Sequence, residues 1–284
     1  MTAISKKTKG PPISLPVMVA GASSLLGQRV VDFYLSRNIP VVGIDKSPSN
    51  IKDPLLNIIQ LDLSKEEIPS ELFRGVETLV YVDWDEFSAS AAEKKGSDSA
   101  RVKAIKHTLS SYENSSEVED RRFILINTQG YLHAHRQEEG YLIEHHLINS
   151  LIETKTIIRS SPLCFPEIDD LPIQLHKGLE SLTQVPLAIP LLKSFNIENQ
   201  SIDTFMSQFS NIALQAQEEA LAIHELQADT SLDMNAAVKS FCLRRKIKKP
   251  IFSGFLAELY LRYLSRFSKY KKLNVIFMQQ QAHH

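Results

Sequence analysis

The chain has 284 residues, of which 43% are hydrophobic and 23% are charged, and its formal net charge is -1. This composition is typical of a globular protein and excludes a disordered chain or a protein that coats nucleic acid. Cys164 and Cys242 lie far apart without a CxxC spacing, so the sequence predicts neither a disulfide framework nor a zinc site. We expect a cytoplasmic protein, because no stretch approaches the roughly 18 apolar residues of a membrane span.

The N-terminal part of the chain alternates short apolar runs with helical patterns. Residues 1–14 are polar and basic and indicate a flexible leader. Val17–Ala20 is an apolar run that ends at Gly21, and residues 28–37 place their apolar side chains at helical spacing. Further apolar runs, each typical of a parallel strand that is covered on both faces, follow at residues 40–44, 56–61 and 78–82.

The alternation continues to about residue 160. A crossover helix is predicted within residues 88–120, and after it come a strand at 123–126, a helix at 141–152 and a strand at 156–158. Alternating strands and helices predict an α/β fold with a Rossmann-type doubly wound parallel sheet over residues 15–160. The Pro-rich remainder, with a helical pattern at 204–221, predicts a smaller mixed C-terminal lobe over residues 161–284.

The turn after the first strand reads Gly21-Ala22-Ser23-Ser24-Leu25-Leu26-Gly27. Amide groups at a helix N-terminus carry partial positive charge, so they bind phosphate readily. Gly21 permits the tight turn, and Gly27 lets the helix pack closely on the strand. Ser24 stands where the middle glycine is usual, and its hydroxyl could bond a phosphate instead. The turn predicts a phosphate-binding loop, and the alternative is a turn with packing roles in a domain that binds nothing.

Two acidic residues follow later strands of the same half. Asp45 ends the second strand, where this fold places an acid against the adenosine ribose hydroxyls, and a carboxylate there favours NAD over NADP. The alternative is a solvated turn acid before Lys46. Asp62, after the third strand and before Leu63, stands where an acid can meet the adenine amino group.

These motifs resemble the extended short-chain dehydrogenase/epimerase family, and the resemblance covers nearly the whole chain. Residues 19–27 resemble its phosphate loop, 42–46 its ribose-binding strand end, 61–63 its adenine-contacting segment and 156–163 its sixth strand with the turn that passes the nicotinamide. The resemblance implies NAD as the cofactor, with NADP or no cofactor as alternatives. It places against the cofactor the residues Gly21, Ser23, Ser24, Leu25, Leu26, Gly27, Asp45, Lys46, Asp62 and Leu63.

The family's catalytic Tyr-x-x-x-Lys pair is matched only in part. Tyr141 is the candidate general acid or base, and His145 stands in the lysine position. Histidine is mostly neutral at cytoplasmic pH, so it supplies less cationic help than lysine does. Thr128 or Gln129 stands where the family's serine or threonine holds the substrate oxygen.

Two further positions depart from the family. Arg101 replaces an asparagine, and Asp83-Trp84 replaces a small-residue turn beside the cofactor riboses, where an acid and an indole would crowd or repel the cofactor. Our first hypothesis is therefore a divergent cofactor-binding protein without the catalytic pair, in a binding, regulatory or assembly role. The second is an active NAD-dependent oxidoreductase or epimerase that uses Tyr141 and His145, and the third is a structural subunit without a cofactor.

The remaining signals concern metals and partners. His133, His135, His145 and His146 predict no metal site, because no HxxxH or HExxH pairing is present. Between residues 239 and 272 there are eleven Lys or Arg and one acid. The amphipathic helix predicted there packs on the core, closes over a substrate, or contacts a membrane surface or a partner protein. The expected partners are a dinucleotide and an unknown small molecule, with no nucleic acid, and the resemblance implies a homodimer.

Overall fold

The computed structural model describes residues 15–83, 99–115, 120–128, 134–172, 175–177, 179–180, 189–190, 196–249 and 251–252. Side chains in the segment 134–138 and at 189–190, 234 and 251–252 are not described. The predicted leader 1–14, the residues Trp84, Gln129 and His133, and the predicted amphipathic helix at 255–267 lie outside the described residues.

The described strands and helices follow one another in an alternating order. The strands are β1 (Val17–Ala20), β2 (Val41–Asp45), β3 (Leu56–Gln60), β4 (Thr78–Asp83), β5 (Arg122–Thr128), β6 (Thr154–Ser160), β7 (Leu163–Phe165), β8 (Leu171–Pro172), β9 (Ile189–Pro190), β10 (Asn196–Ser201), β11 (Leu221–Leu226), β12 (Thr230–Asp233) and β13 (Ile251–Phe252). The helices are α1 (Leu25–Leu35), α2 (Ala100–Glu113), α3 (Ala134–Ile148), α4 (Ile202–Leu214) and α5 (Met234–Arg244). Short 3-10 turns lie at Ser70–Phe73 and Pro166–Ile168.

A seven-stranded parallel sheet forms the centre of the fold, in the order β3-β2-β1-β4-β5-β6-β11. Its first six strands have the doubly wound Rossmann order, so the predicted fold class is confirmed. The order reverses between β1 and β4, and this reversal opens a crevice at the carboxyl ends of the strands.

Both faces of the sheet are buried, which explains why its inner strands are continuously apolar. Alternate residues of β1 point to opposite faces, so Val17 and Val19 join the apolar cluster that also contains residues of α1 and α4. Met18 and Ala20 join the opposite cluster, which contains residues of α2 and α3.

The seventh strand differs from the sequence prediction. The helical pattern predicted at 204–221 ends in the structure at Leu214, and Leu221 begins β11, which pairs with β6. As an edge strand, β11 alternates half-buried and exposed residues and does not read as a continuous apolar run. The helix predicted at 141–152 spans Ala134–Ile148 in the structure. The sequence pattern missed its start because the first turns are polar and show no apolar period.

A second, mixed sheet has the order β12-β10-β7-β8, and β9 pairs with β13 in a small parallel ribbon. Elements after residue 160 therefore contribute both to the main sheet, through β11, and to the smaller sheet. The division into domains at 15–160 and 161–284 stays a prediction. Among the described residues, none of the helices has the length and apolar character required to cross a membrane.

Candidate nucleotide-binding site

The loop between β1 and α1 requires both of its glycines. Gly21 has a φ of +85°, and a Cβ there would lie 2.8 Å from the carbonyl oxygen of Val82. A Cβ on Gly27 would lie 2.0 Å from the carbonyl oxygen of Gly21. Helix α1 therefore begins directly against the end of β1, which brings its N-terminal amides to the crevice.

Ser24 caps this helix. Its hydroxyl accepts a hydrogen bond from the Gly27 amide over 2.9 Å and donates one to the Gly21 carbonyl over 2.8 Å. Because a hydroxyl has a single proton to donate, Ser24 would have to release the Gly21 carbonyl to bond a phosphate, and that role stays a prediction. The amides of Leu25 and Leu26 follow in the first helical turn, where N–H groups lack intrahelical partners.

Asp45 connects β2 to the phosphate loop. Its Oδ2 accepts a hydrogen bond from the Ser23 amide over 3.0 Å, and its Oδ1 accepts one from the Ser47 amide over 2.9 Å. Each carboxylate oxygen can accept more than one hydrogen bond, so both can still receive ribose hydroxyls. The carboxylate is thus held beside the loop, as the sequence predicts.

Asp62 has a different set of partners. It accepts hydrogen bonds from the amide and the hydroxyl of Ser64, over 3.1 and 2.6 Å, and pairs with the Lys65 ammonium over 2.8 Å. The Lys65 ammonium and the Ser64 hydroxyl lower the pKa of Asp62 to about 2. The carboxylate is therefore ionised at neutral pH. The next residue, Leu63, is buried, and its carbonyl oxygen lies 2.8 Å from Nδ1 of His107.

A cleft of about 280 Å³ opens at this edge of the sheet. Its lining includes most of the residues that are predicted to contact a cofactor: Gly21, Ser23, Ser24, Asp45, Lys46, Asp62 and Leu63. Leu26 and Gly27 are buried behind the loop, and the Leu26 side chain is part of the core. The structure thus gathers residues from three strand ends around one cavity.

An ion-pair network lies at the far wall of this cleft. Arg101 donates from Nε to Oδ1 of Asp83 over 3.1 Å and from Nη2 to Oδ2 of the same residue. Its Nη1 donates to Glu139 on α3 over 3.1 Å. The Asp83 side chain is 4% exposed. The two unusual residues of the sequence, Asp83 and Arg101, are therefore partners of each other.

The candidate catalytic pair does not point towards the sheet. Tyr141 is 64% exposed, and His145 is also exposed and lies 3.1 Å from the Asn149 amide through its Nε2. Gly140 and Glu144, one position earlier in each case, occupy the buried side of α3. Since one residue turns a helix by about 100°, Tyr141 and His145 lie on a different side of α3, and their catalytic role stays a prediction. Thr128 does lie at the end of β5, where its hydroxyl donates to the Asp83 carbonyl over 3.4 Å.

The comparisons with known proteins concern the fold. The sequence matches no protein-family model and no curated protein. The structure is similar to the Bordetella bronchiseptica enzyme WbmH in complex with NAD+, with a TM-score of 0.59 at 12% identity over 85% of this chain and 86% of that chain. It is also similar to WbmG of the same organism in complex with NAD, with a TM-score of 0.59 at 10% identity over 90% and 84% of the two chains.

A third similar structure is the UDP-glucose 4-epimerase of Thermotoga maritima with UDP-glucose, with a TM-score of 0.57 at 12% identity over 84% of this chain and 85% of that chain. The fold is that of the extended short-chain dehydrogenases and epimerases. Similarity at 10–12% identity establishes the fold alone. NAD and UDP-glucose are ligands of the similar proteins.

Within this short-chain dehydrogenase fold, Glu144 is a polar side chain that α3 buries. It accepts three hydrogen bonds from Arg159 on β6, the shortest over 2.7 Å, and one from Asn127 over 2.7 Å. Glu144 raises the pKa of the Arg159 guanidinium above its ordinary value. Sequence analysis missed this group. The signal that could have found it is the apolar period of Ile143 and Leu147, which fixes the buried side of the helix.

A second cleft, of about 620 Å³, lies at the ends of β6 and β11. Its wall includes Arg159, Ser161, Glu198, Glu225 and Asp229. Arg159 donates to Glu225 over 2.9 Å, so its charge is shared between Glu144 and this wall. Among the described residues, no group of three or more His, Cys, Asp or Glu side chains is arranged to hold a metal ion.

Proposed function

We propose that the protein is a nucleotide-binding protein of the short-chain dehydrogenase fold that acts by binding rather than by Tyr-Lys catalysis. The observation that carries the proposal is the combination of a phosphate loop that keeps its first and last glycines with an exposed Tyr141. Gly21, Gly27 and Asp45 meet the requirements of an adenine dinucleotide site, whereas the tyrosine that would exchange a proton with a substrate lies on the solvent side of α3.

NAD is the proposed ligand, and NADP is disfavoured by the carboxylate of Asp45. A bound NAD supplies a hydride acceptor. The residues of this chain would hold it through the amides at the start of α1 and through the Asp45 oxygens, which accept ribose hydroxyls. A 2′-phosphate at the same place would meet a carboxylate of like charge, which weakens binding.

Calorimetric titration with NAD, NADH, NADP and NADPH tests this proposal. We expect binding of NAD and NADH, weaker binding of NADP and NADPH, and loss of binding in Gly27→Asp and Asp45→Ala. Asp32→Ala is the matched control, because it removes a carboxylate from the exposed side of α1 and leaves the cleft intact. Absence of binding for all four nucleotides would contradict the proposal and favour the structural-subunit hypothesis.

The non-catalytic part of the proposal has its own test. A panel of nucleotide sugars with NAD should give no turnover above the background without protein. Turnover that is present in the wild-type protein and lost in Tyr141→Phe would contradict the proposal and support the oxidoreductase or epimerase hypothesis with Tyr141 as the acid or base. Lys177→Ala serves as a control variant because it lies outside the described clefts.

We also propose that the basic end of α5 contacts an anionic partner, and that the protein acts where this partner is found. Leu243 is 81% exposed, and the exposed cations Arg244, Arg245, Lys246 and Lys248 follow it. An exposed leucine beside clustered cations is typical of a surface that rests on anionic lipid. Co-sedimentation with vesicles that contain anionic lipid should be lost in Leu243→Glu and absent with neutral vesicles. Equal sedimentation with both vesicle types would contradict the contact.

A further inference from the structure

The crevice of this fold has two halves, which meet where the strand order reverses. One half lies over β1, β2 and β3, and the other over β4, β5 and β6. A dinucleotide binds across both, with one mononucleotide in each half. In this chain the first half is open, because the 280 Å³ cleft is lined by the phosphate loop and by the ends of β2 and β3.

An ion-pair network lies at the border of the second half. Asp83, at the end of β4, is held by two hydrogen bonds from Arg101, and Arg101 also binds Glu139. On this side the cleft that contains the phosphate loop is lined by Asp83 and Arg101, and no described residue of β5, β6 or α3 lines it. The network therefore ties α2, β4 and α3 together at the point where a dinucleotide would pass from one half to the other.

Displacing this network has an energetic cost, because its side chains are largely buried and bind one another. The Arg101 side chain is 19% exposed, and Glu139 is 15% exposed. Two-point contacts between a guanidinium and a carboxylate are geometrically specific and strong. If Arg101 left, the nearly buried carboxylate of Asp83 would lose the cation that it pairs with among the described residues, which is strongly unfavourable.

We infer that the site recognises an adenine nucleotide by its adenosine and diphosphate portions, and that a nicotinamide riboside portion adds no affinity. The ligand class is adenosine diphosphate and its derivatives, of which NAD is one. The inference rests on the proposed function, since it concerns the same phosphate loop. The Asp83–Arg101–Glu139 network acts as a specificity determinant that ends recognition at the diphosphate.

Calorimetric titration of the full chain with AMP, ADP, ADP-ribose and NAD tests the inference. We expect ADP, ADP-ribose and NAD to have dissociation constants within about threefold of one another. AMP, which lacks the second phosphate at the loop, should bind more weakly. NAD binding that is tighter than ADP-ribose binding by about tenfold or more would overturn the inference and leave the proposed function standing. If none of the four binds, both fail.

A double variant tests whether the network causes the effect. Asp83→Ala combined with Arg101→Asn removes the Asp83 carboxylate together with its cation, so the nearly buried Asp83 is not left unpaired, while the more accessible Glu139 loses one cationic partner. In this variant we expect the affinity for NAD to rise about tenfold relative to the affinity for ADP-ribose. An unchanged ratio of the two dissociation constants would overturn the role assigned to the network. The matched control is Arg121→Ala with Glu153→Ala, an ion pair of 3.1 Å before the first residues of β5 and β6, at the opposite edge of the sheet. The titrations of the wild-type protein decide the question even if the double variant does not fold.

Discussion

Gly27 is the residue on which the geometry of the phosphate loop depends most. Gly27→Ala would place a methyl group 2.0 Å from the Gly21 carbonyl oxygen, so α1 must move away from β1. We expect the free energy of unfolding to fall by about 1–3 kcal/mol, as for other overpacked sites, and nucleotide binding to be lost. Denaturant unfolding and calorimetric titration measure the two effects.

Gly140→Ala is the comparison for that variant. A Cβ at Gly140 would lie 3.3 Å from Nδ2 of Asn127, so a small shift of a side chain accommodates it. Alanine is also favoured over glycine inside a helix by about 0.5–1 kcal/mol. We expect a change in unfolding free energy within about 1 kcal/mol. Equal losses in the two variants would mean that the contact at Gly21 is not the cause.

Asp62 predicts an acid sensitivity. Its pKa in the folded state is about 2, below its ordinary value of 3.8, because Lys65 and Ser64 bind the carboxylate. A group with a lowered pKa stabilises the folded state above its ordinary pKa, and this contribution is lost as the pH falls from 3.8 towards 2. We expect Asp62→Asn to be less stable than the wild-type protein at neutral pH, and the difference to shrink over this interval. Urea unfolding at several pH values measures it, and a difference that stays constant would contradict it.

Residues whose position is set by local backbone geometry were the most predictable from sequence. Gly21, Gly27 and Asp45 stand where they do because of local turn and strand-end geometry, which motif spacing encodes. The role of Tyr141 stays a prediction, because the spacing of two residues does not give the side of a helix on which they lie. The polar first turns of α3 carry no apolar period, so only the buried Ile143 and Leu147 reveal which side faces the core.

At the scale of elements, the packing of α4 on α1 and the sheet should account for a large part of the stability. Phe209 is fully buried and contacts the ring of Phe33 edge to face, with 5.2 Å between the centroids, and stacks with Phe205. We expect Phe209→Ala to reduce the free energy of unfolding by about 3–5 kcal/mol, because it creates a cavity between α1 and α4. Denaturant unfolding measures this change.

Leu214 on the same helix provides the control. It is 55% exposed, so Leu214→Ala should change the unfolding free energy by less than about 0.5 kcal/mol. A loss in Leu214→Ala as large as that in Phe209→Ala would contradict the assignment of the loss to the buried aromatic packing of Phe209.

The elements that sequence predicted well are those buried on two faces. Strands β1, β2 and β4 are continuous apolar runs, and their predicted bounds agree with the structure to within one residue. Strand β11 pairs on one side only, and β10 and β12 carry mostly polar residues. Their position depends on long-range pairing, which no local pattern records.

At the scale of the whole molecule, the outer face of α3 predicts self-association. Tyr141 is 64% exposed, Leu142 49% and Ile148 39%, and Leu151 just beyond the helix is 81% exposed. Contiguous exposed apolar side chains on a helix are typical of a protein interface. A second copy of the chain is the proposed occupant, because a two-fold axis would place the same apolar face of each copy against the other.

We therefore expect light scattering to give a mass of twice the 32.1 kDa of the chain at micromolar concentration. Leu142→Lys combined with Ile148→Lys should give a monomer, because two lysines on this face would have to be buried against their copies. Leu243→Lys changes an equally apolar residue that is 81% exposed on α5, and should leave the dimer intact. If the wild-type protein is a monomer, the exposed Tyr141 face has another role and the dimer prediction is wrong. If the double variant remains a dimer, the interface lies elsewhere, and Tyr141 keeps an open approach from solvent.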